Sequence, residues 1–273
     1  MDVSILGCLD VGLGPHHVVP SAAKPKMLLG VLAVRADEVV GVGTLLEELW
    51  GQRPPGSATT TLQTYVLQIR NLIAGLPGLE GRREEAKQVL AHSAGGYRLN
   101  TGGGFVDAAE FARRAEAGRR ALAARDCPTA SEHFRDALRL WRSSPLVDVE
   151  PGPLLGSEVS RLQAARLDVL ASLAESDLRL GRHHWWVGEL AALSARHPTH
   201  EQLQALYMLA LLGAGRRDRA LEVYSRLHST LKRELGTEPS AACRRVQLLV
   251  LAGPVPGAGQ RDLLDELALP TAS

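Results

Sequence analysis

Between Pro54 and Leu79 the chain reads PPGSATTTLQTYVLQIRNLIAGLPGL, with hydroxyl and amide side chains recurring at helical spacing. At about 100° per residue, Leu62, Val66, Ile69 and Ile73 fall on one narrow face. Ser57, Thr60, Thr64, Leu67, Gln68 and Asn71 fall on the opposite face, and the single charge in the run is Arg70. Hydroxyls and amides hydrogen-bond both phosphate oxygens and base edges, and short side chains let a helix sit deep in a groove. A solvated helix face ordinarily carries Glu and Lys; this one has neither. The chemistry on offer is polar recognition of a duplex. An ordinary amphipathic helix with a polar outer face remains the alternative on these residues alone.

Other positions extend the same chemistry. Gln63 and Arg70 lie on one flank of that helix, where Arg70 would reach a phosphate. Tyr65, on the other flank, is expected to pack. Leu67 points outward yet is apolar, which suits a thymine methyl or a protein surface. Lys24 and Lys26 precede an earlier helix and could meet phosphates. Farther on, Gly95 and Gly96 are expected to supply the turn of a hairpin, with His92 or Arg98 entering a minor groove. The expected DNA-contacting set is therefore Lys24, Lys26, Ser57, Thr60, Gln63, Thr64, Gln68, Arg70, Asn71, His92 and Arg98.

Enzyme chemistry finds no support. There is no nucleophile elbow, no phosphate loop and no paired-cysteine metal spacing. His183 and His184 are adjacent at a helix start and point in different directions, so they do not form a metal site. No catalytic residue, cofactor or metal is expected.

The elements needed to hold the polar stripe are legible around it. Val3 to Val11 is strand-like, and Val18-Val19 suggests a return strand after a Gly-Pro-His-His turn. Lys26 to Arg35 is a short buried helix, and Val39-Val40 an extended link. Thr44 is expected to cap a second helix ending at Trp50-Gly51. The striped helix is the third. Gly81 to Lys87 is expected as a charged loop, and Val89-Leu90 with Tyr97-Arg98-Leu99 as a closing hairpin. This order of strands, three helices and hairpin is that of a winged helix-turn-helix with an N-terminal sheet, in which the second helix braces the third. Thr101 to Gly104 is expected to be a flexible joint.

After Gly104 helix follows helix. Gly181-Arg182 and Gly215-Arg216 each precede a helix and stand 34 residues apart. A period of this length built from helix pairs is the tetratricopeptide signature. Ala220 and Tyr224 have the small-then-aromatic spacing that lets paired helices approach, as do Ala130 and Phe134; Trp186 and Leu190 occupy the matching places in the middle unit. The expected fold is mostly α with small β, divided as a winged helix over 1–102, a tetratricopeptide-like all-α domain over 103–253 and a loosely attached tail over 254–273.

Composition sets limits on these readings. Of 273 residues, 45% are hydrophobic and 22% charged, which is globular. Cys8, Cys127 and Cys243 are far apart and odd in number, arguing for reduced thiols and a cytoplasmic location. No stretch approaches the roughly 18 apolar residues of a membrane span. Net charge is +1. Residues 1–102 hold nine basic and nine acidic residues. Because phosphate neutralisation supplies most non-specific DNA affinity, binding by an isolated copy is expected to be weak.

The chain resembles the small members of the Streptomyces antibiotic regulatory protein family of transcriptional activators. The matching stretches are AAKPKMLLGVL, LLEELWGQRPPGSATTTLQTYVLQIR and GGYRL in the first part. In the second they are FARRAEAGRRALAARD, DALRLWRSSPLVDV, LRLGRHHWWVGELAALSARHP and LKRELGTEPS. The resemblance implies an OmpR/PhoB-type DNA-binding domain, the output domain of many response regulators, joined to a bacterial transcriptional activation domain. It implies tandem direct repeats of promoter DNA near the −35 element as target, a second copy bound head-to-tail, and RNA polymerase with its sigma factor as partner. The function it implies is activation of an antibiotic biosynthetic cluster. Asn71 and Ser93 stand where many relatives carry arginine, and His92 where a threonine is frequent. The rival reading is a helical-repeat protein-interaction module whose DNA-binding domain is weakened.

Overall fold

The computed structural model describes residues 1–77 and 82–252. A short antiparallel sheet opens the chain, with β1 (Asp2–Ser4), β2 (Asp10–Leu13) and β3 (His16–His17) in that order and Val3 opposite Val11. The single strand expected over 3–11 is thus two strands, and the return strand is His16–His17 rather than Val18-Val19. The reason lies in the link between β1 and β2. The Ile5 and Leu6 amides donate to the Asp107 carboxylate at 2.9–3.0 Å, and the Leu9 amide to Asp148 at 2.8 Å, instead of to a neighbouring strand.

The first helix, α1 (Ala23–Val34), is buried continuously from Met27 to Ala33. Next come β4 (Val40–Gly41) and α2 (Val42–Trp50) without a break. Gly41 is the N-cap of α2, so Thr44 lies within the helix instead of capping it. The striped helix is α3 (Ala58–Ala74), burying Ala58, Leu62, Val66, Ile69 and Ile73. The end of that run, Gly78 to Leu79, and the Gly81 start of the expected loop lie outside the described residues.

Arg83–Val89 is a helix, α4, where a charged loop was expected. Glu84 and Glu85 stand in its first turn and Lys87 in its last, matching the helix dipole. Arg82–Glu85 and Glu84–Lys87 pair at i,i+3, so charges read as loop solvation are helix-forming contacts. Next, β5 (Leu90–Ser93) and β6 (Gly96–Leu99) form a hairpin, and β4 joins it in the order β4-β6-β5. The turn residues are Ala94 and Gly95, both at positive φ, the two-residue turn that suits strand twist. Gly96 is required for a different reason: a Cβ there would collide with the Val40 carbonyl.

The expected joint at Thr101 is pinned at its start. Thr101 is 3% exposed, its amide and hydroxyl donate to Asp37 at 2.8 and 2.6 Å, and its carbonyl accepts from the N-terminal amine. A Cβ at Gly104 would collide with Met1.

By packing, the chain divides into two units, neither continuous in sequence: Met1–Arg114 with Asp136–Leu167, and Ala115–Arg135 with Asp168–Ser273. Helices α5 (Asp107–Ala123), α6 (Cys127–Leu138) and α7 (Pro153–Arg179) contribute residues to both. In the first unit three carboxylates hold distant backbone. Asp107 also meets Arg142 at 3.2 Å. Burial pushes the Asp148 carboxyl up, but the Leu9 amide and Lys26 outweigh it and hold it below the usual range. Glu48 of α2, 4% exposed, accepts from the amides of Gly152, Leu154 and Leu155 at 2.7–3.1 Å. Gly30 of α1 lies against Val149 and Leu155. Trp141 meets Phe111 edge-on, with the Arg166 guanidinium over its ring.

In the second unit α8 (His183–Arg196), α9 (Glu201–Gly213), α10 (Arg217–Glu234) and α11 (Ala241–Ala252) follow in sequence. Gly181 and Gly215, the residues that marked the 34-residue offset, both have positive φ at helix ends. Ala130, Phe134, Ala220 and Leu190 are fully buried, and Trp186 is 6% exposed. A Cβ at Gly118 would fall 2.5 Å from the Phe134 ring, and one at Gly213 would strike the His183 ring. Asp177, buried, accepts from Ser131, Arg135, Arg182 and the Trp186 indole. The tail expected over 254–273 lies outside the described residues. Among the described residues no helix is long and apolar enough to cross a membrane.

Candidate nucleic-acid interface

The stripe on α3 begins at a helix N-terminus left open. Ser57 occupies the N-cap position without a side-chain cap bond, and no carboxylate stands in the first turn. The positive end of the helix dipole is therefore not neutralised from within the element. Thr60, Gln63, Thr64, Leu67, Gln68 and Asn71 are all exposed along one side, while the buried residues lie opposite. Thr61 and Thr64 donate their hydroxyls to the carbonyls of Ser57 and Thr60, at 3.0 and 3.1 Å. With those protons occupied, each hydroxyl offers a ligand an acceptor.

Helix α2 braces α3: Trp50 stacks on half-buried Tyr65 with ring centroids 6.2 Å apart. The hairpin braces it nearer the C-terminus. Arg70 donates from Nε and Nη2 to the Leu90 carbonyl at 2.9 and 2.8 Å, fixing the helix to β5. Arg70 was expected to reach a phosphate; in the structure two of its N–H groups, on Nε and Nη2, are engaged by backbone.

The two lysines are likewise engaged. Lys24 donates to the Leu49 carbonyl and lies 5.3 Å from the Trp50 ring centroid. Lys26 pairs with Asp148 at 3.1 Å. At the hairpin, His92 is exposed and packs edge-on to buried Tyr97, while Arg98 is half-buried with its Nε lacking a hydrogen-bond partner. The structure thus brings Ser57, Thr60, Gln63, Thr64, Gln68 and Asn71 onto one open face of α3, leaves His92 and Arg98 on the hairpin, and holds Lys24, Lys26 and Arg70 in protein contacts. Sequence reasoning passed over two exposed neighbours, Arg53 in the loop before α3 and Thr59 in its first turn. The Pro-flanked position of Arg53 was the available signal.

Cys243 is buried, and that burial pushes its thiol up to about 12, which disfavours the thiolate. Hydrogen bonds from Arg113 and Arg114 hold Glu110 at about 2. His183 is buried, and that burial with neighbouring His184 lowers its pKa below the usual value. Among the described residues no group of three His, Cys, Asp or Glu side chains is placed to hold a metal ion.

Comparison with known proteins adds a lineage to this geometry. A family model described as a bacterial transcriptional activator domain matches residues 106–251. The chain is 45% identical over 251 residues to the regulatory protein DnrI of Streptomyces peucetius, covering 92% of each. It is 34% identical over 248 residues to the regulatory protein AfsR of Streptomyces coelicolor, covering 90% of this chain and 24% of that protein. A solved structure of Mycobacterium tuberculosis EmbR in complex with a low affinity phosphopeptide superimposes with a TM-score of 0.86 at 28% identity, covering 98% of this chain and 69% of that one.

Proposed function

The chain belongs to the Streptomyces antibiotic regulatory protein family of transcriptional regulators, and on that premise we propose that it is a sequence-specific DNA-binding activator of an antibiotic biosynthetic cluster. In this reading residues 1–102 form an OmpR/PhoB-type winged helix, with α3 in the major groove and the β5–β6 hairpin as the wing. Residues 103–253 form a tetratricopeptide-like activation domain that grips RNA polymerase with its sigma factor. Two copies sit head-to-tail on direct repeats near the −35 element, since repeats about one helical turn apart place both on one face of the duplex. The protein works in the cytoplasm.

The observation that carries this reading is the uncharged stripe of α3: exposed over four turns, anchored by five buried residues, and held by α2 at Tyr65 and by β5 at Arg70. Gel shift and run-off transcription with the promoters of the neighbouring gene cluster test it. The expected result is a sequence-dependent shift and stimulated transcription; a shift without stimulation would leave a DNA binder that does not activate.

A second reading has its own observation. Lys24, Lys26 and Arg70, three of the expected cations, are held by protein groups, which favours a helical-repeat interaction module with a weakened DNA-binding domain. Salt separates the two. Groove binding must release counterions, so log K should fall with log salt; a slope near zero supports the second reading.

A further inference from the structure

Resting on the DNA-binding reading above, we infer that Leu67 reads the 5-methyl group of a thymine in the major groove and so determines specificity at one base pair of each repeat. Leu67 is 57% exposed. It stands in the middle of the polar stripe, three residues after Thr64, four before Asn71 and one whole heptad after Thr60. A lone leucine among hydroxyls and amides wants an apolar partner presented inside an otherwise polar surface. The thymine methyl is the one apolar group that base edges present in the major groove.

The neighbours fit that environment. The Thr64 hydroxyl already donates to the Thr60 carbonyl at 3.1 Å, so toward a base it acts as an acceptor. Gln68 and Asn71 are exposed beside it and can bond the adenine edge of a pair. A protein partner fits less well. Leu72 is also exposed, at 43%, but lies about 140° farther round the helix. Leu67 therefore does not belong to a contiguous apolar patch of the few hundred Å² that protein interfaces use.

The test enriches duplexes from a randomised library with the full chain, then replaces each thymine of the winning duplex by deoxyuridine in turn. One thymine per repeat should lose affinity about fourfold on losing its methyl, the value of one buried methyl group. Leu67→Ala should erase the difference between thymine and uracil at that position alone, and Leu67→Met should retain it. Enrichment of no duplex overturns the DNA-binding reading and this inference together. Enrichment with no uracil-sensitive thymine, or with sensitivity unchanged in Leu67→Ala, overturns the inference alone. So does a Leu67→Ala variant that binds single repeats normally but loses cooperativity on tandem ones, since that assigns the leucine to a neighbouring copy.

Discussion

Arg70 gives both its Nε and Nη2 protons to one carbonyl, that of Leu90, which makes it a brace between α3 and β5. Replacing it by alanine should cost about 1.5 kcal/mol in urea unfolding, the lower end for a charge-assisted bond because the side chain is half-buried. The salt slope of DNA binding should stay the same, whereas loss of a phosphate contact would reduce it by about one. Gln68→Ala and Asn71→Ala should behave in the opposite way. Each side chain is exposed, so stability should move by less than about 0.5 kcal/mol. Affinity for the selected duplex should fall by about 1–3 kcal/mol per lost base contact, measured by fluorescence anisotropy. At this scale the sequence was a good guide to exposure and a poor one to occupancy. Helical spacing put Thr60, Thr64, Gln68 and Asn71 outside, but no local pattern could say that Lys26 would meet Asp148 or Arg70 the Leu90 carbonyl.

Elements were legible where their signals are local. Apolar spacing locates α1 and α3, and Gly181 and Gly215, both at positive φ, mark two helix ends. Helix α4 was missed because seven residues are too few for an apolar period, and its charges read equally well as loop solvation. Glycines inside the helices show how packing overrides propensity. A Cβ at Gly118 would fall within 3 Å of the buried Phe134 ring. Gly118→Ala should therefore destabilise by about 1–3 kcal/mol despite the better helix former. A Cβ at Gly188 in α8 would meet nothing within 4 Å, so Gly188→Ala should stabilise by up to about 1 kcal/mol, both changes being read from urea midpoints. Asp177 joins α6, α7 and α8 within the second unit. Burial raises its carboxyl, but bonds from Trp186, Ser131 and Arg182, with the charge of Arg135, outweigh that and lower it below the ordinary 3.8. A lowered carboxylate contributes stability that is present above its unfolded value and lost as pH falls through its folded one. Thermal stability should therefore drop below about pH 4, and Asp177→Asn should lower it at neutral pH and flatten that acid limb.

At the scale of the molecule, the first unit takes in residues 136–167 as well as 1–114. Nothing local announces this. Asp107 and Asp148 hold the β1–β2 link, and Glu48 holds residues 152–155, from more than a hundred positions away in sequence. A fragment ending at 102 would leave the Ile5, Leu6 and Leu9 amides without carboxylate partners and uncover Gly30, which packs on Val149 and Leu155. Buried amides left unpaired cost about 1–3 kcal/mol each. Such a fragment should melt well below the full chain by circular dichroism, while one ending at 167 should retain more of the native transition. Glu48 carries a practical lesson for anyone who would re-address the protein to a new promoter. Grafting a foreign DNA-reading cassette onto this chain at the glycine run 102–104 severs α2 from the backbone its glutamate holds, so chimeras spliced there should misfold. Changing the outward residues of α3 one by one leaves that attachment intact.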